Sequence, residues 1–409
     1  MILVPLLILF TMVVAKLQKG VYASFLFLVA TKSIMDAFWE FKFGPLSMLS
    51  IQGVLIPVLF YKIILTRKVI PKSWLSTAKI YIVALSLGLI WSIAVNPMGT
   101  LENLILSVNI YIGFILIPLL VHDQKRLKQF LIAIMICGIF PILVSMYQLQ
   151  TGVVFQDRET VGLTRYVGFY HDAFPVRFYG LMTLFSVLLY QSTFKIEGLF
   201  MKLFLLLLTA GAFVSIYAVF SKAAVGIMGL WMVLLLVFSK SKIKQAFSII
   251  IGVAVIFLVF GDAVYDNLEQ LFSKEVGYQS GEVKDARYTL AGRGYIWENY
   301  WRFWTDQQSL IFQWIGDGIT RPVHNEYLRV LMANGIIGVL FLVVFIFRNI
   351  ANTFKMHKKL KVFGMMLIGM YIVDSIGLVP GVYYYYNILV WGIFGALLLK
   401  PQLFIKKTV

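Results

Sequence analysis

Residues 321–347 begin Arg321-Pro322-Val323-His324-Asn325-Glu326-Tyr327-Leu328 and then run apolar through Asn334-Gly335-Ile336-Ile337-Gly338 to Phe347. Within a few positions the chain passes from a cationic, polar stretch into a segment long enough for a bilayer core, which takes roughly 20 apolar residues per helix. Upstream, residues 262–325 form the one long polar interval of the sequence. Hydrocarbon solvates neither charges nor open backbone, so polar groups gathered at the edge of a membrane helix need a reason to be there.

Composition sets the class around this stretch. The 409 residues are 60% hydrophobic and 13% charged, with a mean hydropathy of +0.86. A soluble domain is near a quarter charged, so the chain reads as an all-α polytopic membrane protein. The expected organisation is a single transmembrane bundle over residues 1–409, with 262–325 inserted as one large extracytoplasmic loop. Apolar runs of spanning length, or nearly so, lie at 2–15, 47–66, 79–95, 102–121, 128–149, 175–193, 198–220, 223–238, 244–261, 327–347, 361–379 and 383–400. The stretch 21–38 is weaker, because Lys32, Asp36 and Glu40 interrupt it, and the count is therefore 12 or 13 helices. Met1–Ala15 has neither a basic leader nor a small-residue cleavage site and reads as the first membrane segment. The single cysteine, Cys137, excludes a disulfide framework and a cysteine-based metal site.

Charge orients the bundle. The basic connectors Lys62–Lys79, Lys125-Arg126-Lys128, Lys195–Lys202, Lys240-Lys242-Lys244 and Lys355–Lys361 all fall on one side when the helices are taken in order, together with Lys406-Lys407. By the positive-inside rule that side is the cytoplasm. Most of the net charge of +17 is thus placed to fix topology and touch anionic lipid, and a nucleic-acid partner is not implied. The same order puts 96–101, 150–174, 262–325 and 380–382 outside. Outer loops should be poor in Arg and Lys, yet the two longest carry Arg158, Arg165, Arg293, Arg302 and Arg321, with Arg177 and Lys222 at nearby helix starts. Cations against the topological grain point to an anionic ligand on the outer face; the plain alternative is pairing with Asp285, Glu298, Asp306 and Asp317.

Three stretches carry the chemistry. Gly162–Pro175 combines glycines with Arg165, His171 and aromatics, as a ligand-facing loop would. In Gly292-Arg293-Gly294-Tyr295-Ile296-Trp297, the residues Trp297, Trp301 and Trp304 recur at i, i+4 and i+7, which predicts an amphipathic helix at headgroup depth with Arg293 on the Trp297 face. A guanidinium there suits bidentate binding of a lipid phosphate. The third is Arg321–Leu328, where His324 opens a helix; partial positive charge at a helix N-terminus favours neutral imidazole, a form able to accept a proton. Against this stand an interfacial aromatic belt and a histidine that merely caps a helix. Tyr383-Tyr384-Tyr385-Tyr386 suits either sugar stacking or an interface belt.

Taken in order, these pieces resemble the O-antigen ligase and polymerase superfamily of bacterial envelope enzymes. The resemblance rests on Ser221-Lys222-Ala223, on Gly292-Arg293 followed by Trp297, on His324-Asn325-Glu326-Tyr327-Leu328, and on Asn334-Gly335-Ile336-Ile337-Gly338; with the helix plan it covers nearly the whole chain. It implies a helical, type-C glycosyltransferase-like fold in the bacterial cytoplasmic membrane with its site facing the periplasm or exterior. The implied reaction moves a glycan from undecaprenyl diphosphate to an acceptor hydroxyl, with no metal and no cofactor. By matching position, Arg293 and Lys222 would contact the donor diphosphate, His324 would orient or deprotonate the acceptor hydroxyl, and Arg165 would assist. Arg321, Asn325, Trp297, Arg177 and His171 complete the expected binding set. Lys222 departs from the family's usual arginine and leaves a point charge in place of a bidentate fork. The implied partners are the lipid-linked glycan, the acceptor glycan, membrane lipid and a chain-length-regulating copolymerase. Polymerisation of repeat units is the preferred activity, with ligation to lipid A-core as the alternative. A lipid or solute transporter is the rival from another class; it would need ionisable residues at mid-membrane depth, of which Asp374 is an example.

Overall fold

A computed structural model describes residues 3–43, 46–47, 108–238 and 261–405, with isolated positions between 55 and 97. The expected segments 47–66, 79–95 and 244–261 and the connectors at 62–79, 240–244 and 406–407 therefore lie wholly or largely outside the described residues. What is described is mostly helix. Five helices are long and apolar enough to cross a membrane, and three shorter ones are apolar as well.

The chain divides into two compact units. The first, Met1–Val69 with Leu119–Ala224 and Gln402–Val409, contains α1 (Leu3–Asp36), α3 (Gln124–Thr151), α4 (Ala173–Thr193) and α5 (Leu199–Ala218). Helix α1 merges the expected segments 2–15 and 21–38 into one stretch with a break at Gly20, whose φ of 81° a side chain would resist. Small residues let α3, α4 and α5 approach closely. A Cβ at Gly138 would strike Thr183, one at Gly211 would strike Ile142, and one at Gly180 would strike Ser215. The weakness of 21–38 as a membrane segment also has a cause: Lys32 and Asp36 are both buried, paired with each other, and the Tyr179 hydroxyl donates to Asp36. An ion pair one turn apart needs no water if its remaining atoms find partners.

The second unit, Ile70–Pro118 with Val225–Pro401, contains most of α2 (Asn109–Leu120) and of α6 (Lys222–Phe238). It also holds α7 (Asp262–Ser280), α8 (Arg293–Arg302), α9 (Leu310–Ile315), α10 (Glu326–Lys355), α11 (Lys358–Gly377) and α12 (Tyr384–Leu399). The polar interval 262–325 is thus built largely of helix. Asp123, Asp172, Ser309 and Asn325 are N-caps whose side chains accept the first free amides of α3, α4, α9 and α10. Helix α12 is apolar all round and is almost wholly buried, with Gly392 and Gly395 seated against the backbone of α2. Its opening tyrosines, Tyr384, Tyr385 and Tyr386, are buried too. That places them in the packing of the unit and not in an exposed aromatic belt. Helix α6 is tied to α11 by the Trp231 indole, which donates to the Met366 carbonyl at 2.9 Å.

Helix α10 is broken within its length. Gly335 has φ 67° and ψ −171°, and the chain returns to helix after it. The Met332 and Ala333 carbonyls, whose helical partners lie across the break, accept the amides of Asp317 (3.2 Å) and Gly318 (2.9 Å). The approach is backbone to backbone: a Cβ at Gly316 would enter the Ala333 carbonyl, and one at Gly335 would enter the Trp314 carbonyl. Glycine is required at both ends of this contact, for space and for positive φ.

Candidate functional site

In the second unit, three distant parts of the sequence meet at the C-terminal end of α11. The Arg293 guanidinium lies over Gly377 so closely that a Cβ there would collide with Nη1. The Asn325 amide donates from Nδ2 to the Ile376 carbonyl at 3.1 Å. Carbonyls at a helix end carry partial negative charge, so a guanidinium and an amide N–H are the groups that suit it. Trp297, one turn beyond Arg293, packs with Tyr300, Phe303 and Trp304 on the core formed by Val323, Leu328 and Met332. Val323 and Leu328 flank His324 in sequence. Arg293, Trp297, His324 and Asn325 are therefore brought into one region, as their motifs imply.

His324 is exposed and sits immediately before the N-cap, with φ of 49°. A non-glycine residue in the left-handed region is uncommon and costs on the order of 1–2 kcal/mol. The surrounding turn must hold it there. Asn325 does much of this: its Oδ1 accepts the Leu328 amide at 2.9 Å while Nδ2 is engaged on Ile376. Both ends of this side chain thus serve the turn, and Asn325 caps α10.

Arg321 is engaged within its own loop. Its two terminal nitrogens meet the two Asp317 oxygens at 3.0 and 2.6 Å, and its guanidinium lies 4.7 Å above the Phe303 ring. Gln308 donates to the same carboxylate at 2.9 Å. This is the plain alternative for a loop arginine, in which a fork-to-fork pair neutralises it. Arg302 and Arg287 likewise pair with Glu298, and Arg287 with Asp285. Hydrogen bonds from Arg287 hold the Asp285 carboxyl well below the usual carboxylate range and pull Glu298 down as well. The Trp301 ring departs from the expected common face: it is half exposed, while Trp297 and Trp304 turn inward. Trp301 lies within the regular α8, and the segment Phe303–Gln307 that carries Trp304 is a π-turn.

In the first unit a second cationic group forms around the turn between α5 and α6. Arg165 donates to the Phe220 carbonyl at 3.2 Å, and Arg177, buried within α4, reaches the Ser221 hydroxyl at 3.4 Å. Lys222 follows directly. Tyr166 N–H donates to the Ala218 carbonyl at 3.0 Å, which seats the Arg165 loop on this turn, and Phe220 has a left-handed φ of 39°. Arg165, Arg177 and Lys222 are thus collected at one turn. His171 is placed differently: its ring meets Trp39 edge-on at 4.6 Å and its carbonyl accepts from Arg158 at 2.9 Å.

Searched against protein-family models and against curated proteins, the chain matches none. Among the described residues no three His, Cys, Asp or Glu side chains converge to hold a metal ion.

One pairing at this site was not singled out from the sequence. Glu326 and Arg329 are fully buried in the first turn of α10 and form a bidentate pair at 3.0 and 2.6 Å. The Gly381 amide donates to Glu326 at 3.3 Å, and Asn387 donates to the Gly381 carbonyl at 2.9 Å. A Cβ on Gly381 would enter the ion pair itself. The pair locks the 380–382 turn across the start of α10, directly after His324. The available signal was an acidic and a basic residue three apart inside an apolar run.

Proposed function

We propose that this chain is a membrane glycosyltransferase that polymerises oligosaccharide repeat units carried on undecaprenyl diphosphate. The motifs Gly292-Arg293…Trp297 and His324-Asn325-Glu326-Tyr327-Leu328 resemble those of the O-antigen ligase and polymerase superfamily. The observation that carries the proposal is the convergence of Arg293 and the His324–Asn325 turn on the Ile376–Gly377 helix end. A permanent cation and an exposed imidazole in one region are the two groups that glycan transfer from a lipid diphosphate requires.

The chemistry is then direct. The acceptor hydroxyl oxygen attacks the anomeric carbon of the donor sugar, and the bond from that carbon to the diphosphate oxygen breaks. The diphosphate leaves with the electron pair, and Arg293 stabilises the charge that develops on it. His324 takes the acceptor's proton. The Arg165–Arg177–Lys222 group is a second place on the chain suited to an anionic phosphate.

Strains carrying His324→Ala or Arg293→Ala should lose long-chain surface polysaccharide on a gel while keeping normal levels of the protein. Long chains in both strains would refute the assignment. In a deletion strain, core bearing one repeat supports polymerisation. Bare core with long chains still on the carrier lipid would show ligation instead.

A further inference from the structure

The interval 262–325 reads as a polar loop, yet part of it sits against α10 well past that helix's first residue. Helix α9 ends at Ile315, and Gly316 and Gly318 lie on the backbone of Ala333 and its neighbours. Gly335, which faces Trp314, is nine residues beyond Glu326; at 1.5 Å per residue that is roughly 14 Å along the helix axis. A spanning helix of about 20 residues counted back from the basic Arg348 starts near Leu328, so this contact lies inside the apolar stretch of α10.

The exposed surface says what surrounds it. Leu340, Val344 and Phe347 form one row on α10, spaced i, i+4 and i+7, and are 57%, 50% and 66% exposed. Ile336 continues this row up to the Gly335 break, and on the far side of the break Ala333 is 0% exposed, its carbonyl met by Gly316. From this level the outward surface is α9: Leu310, Ile311 and Trp314, on one face at i, i+1 and i+4, are 70%, 58% and 49% exposed. Exposed apolar side chains thus occur on α10 up to the break and on α9, which packs at the break. Asp317 is satisfied inside the protein by Arg321 and Gln308, and the Asp317 and Gly318 amides by α10 carbonyls, as hydrocarbon demands of groups at that depth.

We propose that residues 309–318 are a re-entrant membrane element, with the Leu310–Ile311–Trp314 face immersed in the acyl chains of bilayer lipid. Irregular backbone at membrane depth is tolerated where a helix break supplies its partners, and the Gly335 break does so. The assignment stands whether or not the chain transfers sugars.

Depth measurement tests it. Single nitroxides are placed at positions 310, 311 and 314 in a Cys137→Ala background, with Lys284→Cys as an aqueous control, and the full chain is reconstituted in phosphatidylcholine–phosphatidylglycerol nanodiscs. Collision with oxygen relative to a water-soluble nickel chelate should be several-fold higher at all three positions than at 284. A ratio equal to that at 284 would place α9 in water and overturn the proposal. Low collision with both reagents would show a protein partner, such as a second copy, on this face and would overturn it equally. If the labelled chains do not fold, unlabelled protein in brominated lipid serves: the native chain should lose tryptophan emission that a Trp314→Phe chain does not lose, and identical quenching overturns the proposal.

Discussion

The Arg293 guanidinium occupies the space where a side chain at Gly377 would begin. This contact joins the start of α8 to the end of α11, where Asn325 is also bonded. Gly377→Ala should therefore displace Arg293 without removing its charge. A misplacement near 1 Å can lower a reaction rate on the order of 10²-fold. Glycan transfer by Gly377→Ala should fall on that scale, approaching Arg293→Ala, in membranes that hold equal amounts of protein. Full activity in Gly377→Ala alongside an inactive Arg293→Ala would mean that the position of the guanidinium is not critical.

Glu326 and Arg329 make a different kind of prediction, because both are buried. Removing one partner leaves a charge with no counter-charge in an apolar surround, at a cost of about 3–5 kcal/mol. Arg329→Met should lower thermal stability in detergent by that order, and Gly381→Ala should do so in part by entering the same pair. Replacing both partners, Glu326→Leu with Arg329→Met, should recover much of the loss, since well-packed apolar residues can replace a buried pair. A double variant as unstable as the single one would show that hydrogen bonding to the 380–382 turn, and not charge, is what the pair provides.

The Asp285–Arg287–Glu298 cluster predicts a local acid response. Both carboxyls titrate below their ordinary values because Arg287 bonds the ionised forms. Depressed folded values stabilise the segment above the unfolded values, roughly 3.9 for Asp and 4.3 for Glu, and that stabilisation is lost as pH falls further. Amide exchange over 285–302, corrected for intrinsic rate, should thus be flat from neutral pH to about 5 and rise below about 4. The response should be small and weaken with salt, because the groups are at the surface. In Arg287→Gln the acid-dependent rise should vanish; its persistence would assign the response to other carboxyls.

Much of this arrangement is legible in the sequence. The helices at 124–151, 173–193, 199–218, 222–238, 358–377 and 384–399 follow the apolar runs within a few residues, since length and hydropathy decide them, whereas α10 runs on to Lys355 and α7 to α9 lie in the polar interval. Arg293, Trp297 and His324 fall together because short motifs bind each to its own helix start. Other features depend on contacts that periodicity does not encode. The pairing of Arg321 with Asp317 and the double use of the Asn325 amide are choices among several nearby partners. Trp297 and Trp304 pack on one core while Trp301 stays half exposed, and nothing in the i, i+4, i+7 spacing signals which of the three is left out. Gly335 reads as part of a helical motif, yet its positive φ lets the chain of α9 dock at mid-helix. Lys32 and Asp36 weaken an apolar run on paper, and the sequence does not show that the Tyr179 hydroxyl is there to bond Asp36.

His324 allows backbone strain and side-chain chemistry to be separated. Its φ of 49° is disfavoured for any residue with a Cβ, so alanine retains the strain and glycine relieves it. His324→Gly should be about 1 kcal/mol more stable than His324→Ala, after allowance for glycine's greater unfolded-state entropy. Under the proposed function, both should lose glycan transfer, because each lacks the imidazole that takes the acceptor proton. If instead the histidine only shapes the turn, glycine would restore the turn and transfer with it. The pair of variants, compared for melting temperature and for chain length of surface polysaccharide, distinguishes these outcomes. A stable, inactive His324→Gly would place the imidazole in the chemistry, and an active one would remove it.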